Sequence, residues 1–257
     1  MPDSPRWRRR VASAGVLVLG LAAAGTGCGE PESVTLTVLA SSSVTEVLSE
    51  LAVLYRHERP RVRIVPRFGG TNEMTGRVAD REPAEVLITD DVAALKDAAD
   101  QLTGRPRIVA HTGLTIAVAP GNPLRVRGPG DLARSRVRVV IGARVIPSGR
   151  YARQMFTRAG VSVPRAAEEV SSRAVLDRVR GGQADAGIVY VTDLRSAGAA
   201  AASVPIAAAD NVTASFPAAV VEGPHEKEAA AFVAWLAAPS AARLFRKHGF
   251  ATPVPPR

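Results

Sequence analysis

Cysteine is nearly missing from this chain of 257 residues: Cys28 stands alone. An intrachain disulfide and a cysteine metal cluster are thereby excluded. Aromatic residues make up 4% of the chain, too few for the stacking platforms that hold single-stranded nucleic acid. Lysine is scarce: it supplies three of the 33 basic residues, and arginine the rest. The four histidines, His57, His111, His225 and His248, show no metal-ligand spacing such as H-x-x-x-H. There is no G-x-S-x-G nucleophile elbow, and no glycine-rich loop ends in the lysine of a P-loop. A membrane-length apolar run is lacking too. The stretch Val11–Ala24, at about 14 residues, is short for a bilayer span. What remains is a hydrophobic content of 46% and a charged content of 22%. These are ordinary globular values, in a chain long enough for one large domain or two smaller ones.

The N-terminus reads as a processing segment. Arg6, Arg8, Arg9 and Arg10 make a basic start, the Val11–Ala24 stretch follows, and Gly25-Thr26-Gly27 leads into Cys28. This is the layout of a secretory signal over residues 1–27. A lone cysteine after small residues resembles a bacterial lipobox, although Gly25 stands where leucine is usual. The resemblance implies cleavage before Cys28, a lipid on its sulfur, and a tether over residues 28–33. The Arg9-Arg10 pair also admits a twin-arginine export route. The whole chain carries +9. Loss of residues 1–27 removes four arginines and one aspartate and leaves +6. No basic cluster appears beyond the signal, so nucleic acid is not an expected partner.

Apolar runs of strand character alternate with helical patterns along the rest. Val34–Leu39, Val62–Val65, Val86–Ile88, Ile108–Ala110 and Leu114–Ala119 read as strands. Val44, Val47, Leu48, Leu51, Leu54 and Tyr55 fall on one face of a helix. Asn72–Val78 is a short helix, and Asp90 or Asp91 caps another running to Ala99. A second set follows: a strand at Val137–Ile141, helices at Gly149–Ala159 and Ser172–Arg180, and strands at Ala186–Tyr190 and Val204–Ala207. Ala197–Ala202 reads as a small-residue surface segment. Ala214–Val221 is a returning strand, and helices over Glu226–Ala237 and Ser240–His248 close the chain. The alternation predicts mostly parallel sheets with helices on both faces, whose ligands bind outside the carboxyl ends of the strands.

Four turns sit at such ends: Ser41-Ser42-Ser43, Gly69-Gly70-Thr71, Pro147-Ser148-Gly149 and Ser171-Ser172. Each precedes a helix, whose first N–H groups have no partner within the helix and favour an anion. Taken singly, each turn is read first as a helix cap. Ser43-Val44-Thr45-Glu46 has the form of a capping box, with Glu46 reaching back to the Ser43 N–H. Tyr190, ending a strand, is placed to bring its O–H to the same cleft or to a buried backbone partner. Together the turns offer an oxyanion a shell of neutral donors.

Several segments occur in a recognisable order: Thr37–Thr45, Phe68-Gly69-Gly70-Thr71, Pro83–Asp90, Pro147–Ala152, Gly187-Ile188-Val189-Tyr190, Phe216–Val221 and Phe245–Phe250. Through them the chain closely resembles the molybdate-binding proteins of bacterial ABC importers, over nearly all of its mature length. The resemblance implies a two-lobe type II periplasmic binding-protein fold. Lobe 1 is expected over 34–112 plus 214–257 and lobe 2 over 113–213, with crossings near His111–Thr115 and Asp210–Ser215. It implies a molybdate or tungstate ligand, no cofactor, and no metal ion bound directly by side chains. The implied ligand-binding residues are Ser43, Thr71, Ser148, Ser172 (through its backbone N–H) and Tyr190. The implied partners are an ABC permease with its ATPase subunit, and the implied state is an exported, lipid-anchored monomer. The chain departs from the family pattern at Gly142–Pro147, which is one residue short, lacks an Asp-Pro-Glu-His stretch and carries Arg144. Ser148 and Ser172 stand where alanine and valine are usual. Another oxyanion, sulfate or phosphate, therefore stays open. An enzyme is not expected: no nucleophile–base pair is visible, and a porphyrin-pathway deaminase of this fold needs a cysteine for its cofactor. A regulator's effector domain would need a helix-turn-helix where the export signal stands.

Overall fold

The computed structural model describes residues 33–253. The export signal, Cys28 and the tether up to residue 32 lie outside the described residues. Among those described, no helix is long and apolar enough to cross a membrane.

Two βα units begin the fold. Strand β1 (Val34–Ser41) runs into a 3-10 turn (Ser42–Val44) and helix α1 (Thr45–Glu58). On α1, Val47, Leu48, Leu51 and Tyr55 are buried while Val53 is 73% exposed, the one-sided pattern that the sequence spacing requires. Full burial of a leucine such as Leu48 or Leu51 contributes roughly 2 kcal/mol. The helix stops at Glu58 because Pro60 excludes helical geometry from Arg59. Strand β2 (Val62–Gly69) and helix α2 (Thr71–Ala79) repeat the unit, and β3 (Val86–Ile88) is buried throughout. A 3-10 helix over Ala93–Gln101 follows.

The strands expected at 108–110 and 114–119 are one strand, β4 (Leu102–Val118), of 17 residues. Gly104 and Pro106 suggest a break, but register shifts at Thr103/Arg107 and Ile108/Ala110 absorb them as bulges. The second half contains β5 (Val139–Gly142), α3 (Pro147–Arg158), β6 (Ala167–Glu169), α4 (Ser172–Arg180), β7 (Ala186–Tyr190), α5 (Val191–Ala197) and β8 (Ala202–Val204). The long strand β9 (Thr213–Val221) and helices α6 (Glu226–Trp235) and α7 (Pro239–Lys247) finish the chain.

The strand order is β2-β1-β3-β9-β4-β7-β5-β6, with β8 also on β4. The sheet is mixed rather than mostly parallel. Pairings β1–β2, β1–β3, β5–β6 and β5–β7 are parallel, and those made by β4 and β9 are antiparallel. The reason is that β4 and β9 are return paths rather than members of βαβ units. Residues 102–113 of β4 pair with β9, and residues 114–118 pair with β7 and β8. At the change of partner, Asn211 takes the place of a strand. Its Oδ1 accepts from Leu114 N and its Nδ2 donates to Leu114 O, both at 2.9 Å.

Two elements escape the sequence pattern. β6 is short, charged and exposed, as an edge strand can be. The Ala197–Ala202 segment is not simply surface, because Ala197 and Ala201 pack with Ala117, Val140 and Val175.

Candidate functional site

The turns at the ends of β1, β2, β5 and β6 each lead into a helix. Ser41, not Ser43, caps the first one: its Oγ accepts from Ser43 N at 3.4 Å. Glu46 does not complete a capping box either. It pairs with Arg173 of α4 at 2.7 Å, because the intervening 3-10 turn moves the start of α1 on to Thr45. Gly70 precedes α2 without a side-chain cap. At the fourth turn Ser171 is the cap, accepting from Ala174 N at 3.1 Å, which leaves the hydroxyl of Ser172 free for other work.

All five residues expected to bind the ligand are buried: Ser43, Thr71, Ser148, Ser172 and Tyr190. Three of them belong to one network around Asp90, and a fourth meets Asp193. Thr71 Oγ1 donates to Asp90 Oδ1, and Tyr190 Oη donates to Asp90 Oδ2 at 2.8 Å. Ser172 Oγ accepts from Tyr190 N at 3.2 Å. Ser43 Oγ lies 3.4 Å from Asp193 Oδ2. No side-chain hydrogen bond joins Ser148 to the other four among the described residues. Ser148 is held in the first turn of α3 against Gly142, where a Cβ would come within 2.5 Å of its Oγ. The short loop before it is tight: Ala143 N donates to Glu169 O, and a Cβ on Gly149 would stand 1.9 Å from Ala143 O.

Two acids that the sequence pattern does not single out hold these hydroxyls, Asp90 and Asp193. Asp90 was one of two candidate caps. The structure gives that role to Asp91, which accepts from Ala93 N at 2.9 Å and pairs with Arg150 of α3. Asp90 turns inward instead. Two adjacent acids one residue beyond the buried strand β3 are the available signal, since one cap needs only one of them. Asp193 belongs to α5, which the sequence pattern did not reveal.

The two acids differ electrostatically. Burial pushes Asp193 up to about 6, against the pull of Arg173, whose Nε is 3.9 Å from Oδ1. That Oδ1 has no hydrogen-bond partner. Asp90 makes no ion pair among the described residues. Burial raises it above the usual carboxylate range, while the hydrogen bonds from Thr71 and Tyr190 oppose the rise. Burial, together with the neighbouring Asp90, holds the Tyr190 phenol well above its ordinary value, so it remains an O–H donor. Unit charges 4 Å apart interact by about 4 kcal/mol at an effective dielectric constant near 20, and a dianion would double that. An ionised Asp90 and a dianion at these donors therefore oppose each other.

Segments far apart in sequence close over the network. Arg173 Nη2 donates to Ser42 O at 3.4 Å, and Asn72 Nδ2 donates to Val145 O at 3.3 Å. A Cβ on Gly70 would stand 3.1 Å from Val170 O. What the network offers is a set of hydroxyl donors at strand ends, held by acids, with no group of three or more acid, histidine or cysteine side chains arranged for a metal ion among the described residues.

Residues 36–251 match the family model described as bacterial extracellular solute-binding protein. The chain belongs to that family. A curated relative, the molybdate-binding protein ModA of Mycobacterium tuberculosis, is 29% identical over 248 residues, which cover 93% of this chain and 95% of the relative. Two solved structures share the fold. The periplasmic molybdate-binding protein of Azotobacter vinelandii has a TM-score of 0.71 at 20% identity, covering 85% of this chain and all of that one. The sulfate-binding protein SubI of M. tuberculosis has a TM-score of 0.78 at 18% identity, covering 86% and 88%. The solute-binding fold thus serves proteins named for different oxyanions, so the choice of anion rests with the chemistry of the site.

Proposed function

We propose that this solute-binding protein captures molybdate or tungstate through Ser43, Thr71, Ser148, the Ser172 backbone N–H and Tyr190, and delivers it to an ABC permease with its ATPase subunit. The observation that carries the reading is the burial of five uncharged donor residues at strand ends, three of them in one hydrogen-bonded network on Asp90 and a fourth, Ser43, on Asp193. The molybdate-binding relative, aligned over nearly its whole length, supports the choice of anion. A buried dianion needs such donors, because charge without hydrogen bonds is expensive to desolvate. The protein acts as a binder and not as an enzyme. It works outside the cytoplasm as a monomer, held at the membrane by a lipid on Cys28.

The lobes of this reading are residues 34–112 with 214–257, and 113–213. They turn on the crossings of β4 and β9, and closure traps the anion in a form that docks on the permease. The change of partners along β4 at Gly113–Leu114 supports that division.

A second reading, hydrogen phosphate, is favoured by one observation. Asp90 is an acceptor among the donors, and hydrogen phosphate carries an O–H that could donate to it, whereas molybdate and sulfate dianions carry none. Calorimetric titration with molybdate, tungstate, sulfate and phosphate tests both. Binding of molybdate or tungstate in preference to the others is expected. Silence towards both, with clear phosphate or sulfate binding, would transfer the assignment. The lipid is tested by Cys28→Ser, which should release the protein from the membrane fraction.

A further inference from the structure

The two hydroxyls expected to grip the anion are already donated to a carboxylate. Thr71 and Tyr190 each have one O–H, and each gives it to Asp90, one to either oxygen. A ligand oxygen at the same donors must take those protons from Asp90. The titratable and charged groups around Asp90 come from several elements. Helix α2 supplies Thr71. The segment after β3 supplies Asp91, already paired with Arg150 of α3. Helix α3 also supplies Tyr151, whose phenol burial raises above its ordinary value, with Asp91 and Asp90 adding to the rise. Strand β7 supplies Tyr190. Helix α5 supplies Asp193, which shares Arg173 of α4 with Glu46. The cations of the site are thus engaged by other acids, and Asp90 has none of its own among the described residues.

We propose that Asp90 makes oxyanion capture proton-coupled: a dianion takes over the hydroxyls of Thr71 and Tyr190 only when the Asp90 carboxyl binds a proton, so one proton is taken up with each anion. Protonation changes the carboxyl from a competitor into a donor. It removes the charge that opposes the dianion, frees the two hydroxyls, and adds one O–H directed at the ligand. Affinity for molybdate then falls as pH rises. An anion that brings its own proton, such as hydrogen phosphate, meets an ionised Asp90 as acceptor and needs no further uptake. Burial, which already raises Asp90, favours the protonated form.

This inference rests on the oxyanion reading above, and one experiment separates the two. The purified protein is titrated calorimetrically with sodium molybdate between pH 6 and 8.5, in buffers of different ionisation enthalpy, so that proton uptake is read directly. The wild type should take up close to one proton per molybdate at pH 8, with Kd rising about tenfold per pH unit on the alkaline side, as linkage to a single group requires. Asp90→Asn should show no uptake, a Kd independent of pH, and at least tenfold tighter binding than the wild type at pH 8. If Asp90→Asn does not fold, Asp90→Ser serves the same purpose. Asp193→Asn should retain the uptake. Molybdate binding by the wild type with no proton uptake and a flat pH profile overturns the inference and leaves the oxyanion reading standing. Uptake that disappears with Asp193→Asn and persists in Asp90→Asn also overturns it. Folded wild type and variant that bind none of molybdate, tungstate, sulfate or phosphate at any of these pH values overturn both.

Discussion

The Tyr190 O–H donates to Asp90 Oδ2 at 2.8 Å, joining residues that lie 100 positions apart in the chain. Tyr190 is fully buried, and its ring meets Phe216 edge-on with centroids 5.8 Å apart. Tyr190→Phe keeps that packing and removes only the hydroxyl. A hydrogen bond to a charged group is worth about 1.5–3 kcal/mol, which predicts a 10- to 100-fold weaker affinity for molybdate and, because Asp90 Oδ2 loses its donor in the free protein, a lower melting temperature. Titration beside a thermal melt checks both. An unchanged affinity removes Tyr190 from the site.

Asp193 predicts an acid-side rise in stability. Its folded value, about 6, lies above that of an unfolded aspartate, so its contribution is fully present below about pH 4. That contribution is lost as pH rises through 6, and amounts to roughly 3 kcal/mol for a shift of this size. Denaturant unfolding at pH 4.5, 6 and 7.5 should show the loss in the wild type. In Asp193→Asn the trend should weaken, with the part due to the likewise raised Asp90 remaining. Arg173→Met should amplify it, because the carboxylate then has no cation to oppose its burial.

Gly149→Ala is expected to be among the most damaging single-methyl additions in the chain. The new carbon would stand 1.9 Å from Ala143 O and 2.3 Å from Gly142 O, both main-chain atoms that cannot rotate away. The expected cost exceeds about 2 kcal/mol. It is read as a lower denaturation midpoint, accompanied by weaker anion binding because Ser148 is displaced. Gly76→Ala, where nothing lies within 4 Å, is the control and should leave both quantities unchanged or improved.

Asn211→Ala strips Leu114 of both side-chain partners at the point where β4 changes neighbours. Loss of two hydrogen bonds to main-chain groups predicts a destabilisation of about 1–3 kcal/mol. Hydrogen exchange should show faster exchange at the Leu114 N–H than in the flanking strand. An Asn211→Asp variant keeps the acceptor for Leu114 N and should recover part of the effect.

Much of the fold was legible because burial imposes periodicity. The apolar face of α1 and the strands Val86–Ile88 and Ala186–Tyr190 are where their spacing places them. What escaped was governed by neighbours rather than by local pattern. β4 continues through Gly104 and Pro106 because β9 lies alongside to hold it. β6 is charged because it lies at an edge. At the candidate site, Ser43, Thr71, Ser148, Ser172 and Tyr190 were legible as hydroxyls near strand ends, and all five are buried. Asp90 and Asp193 were not, since an aspartate after a strand looks like a cap whether or not it serves as one. Asp91 is the cap, and only the three-dimensional arrangement shows that Asp90 is left for another task.

The position of β9 also dictates when this protein can fold. It lies between β3 and β4, yet β3 ends at Ile88 and β9 begins at Thr213. Until the last fifth of the chain is available, β3 has an open edge and β4 lacks the partner of its first twelve residues, Leu102–Gly113. Pairing across such a separation is entropically costly and slow. A chain that cannot complete its central sheet early remains unfolded for longer, the condition in which a polypeptide can be threaded through a translocation channel before its structure locks.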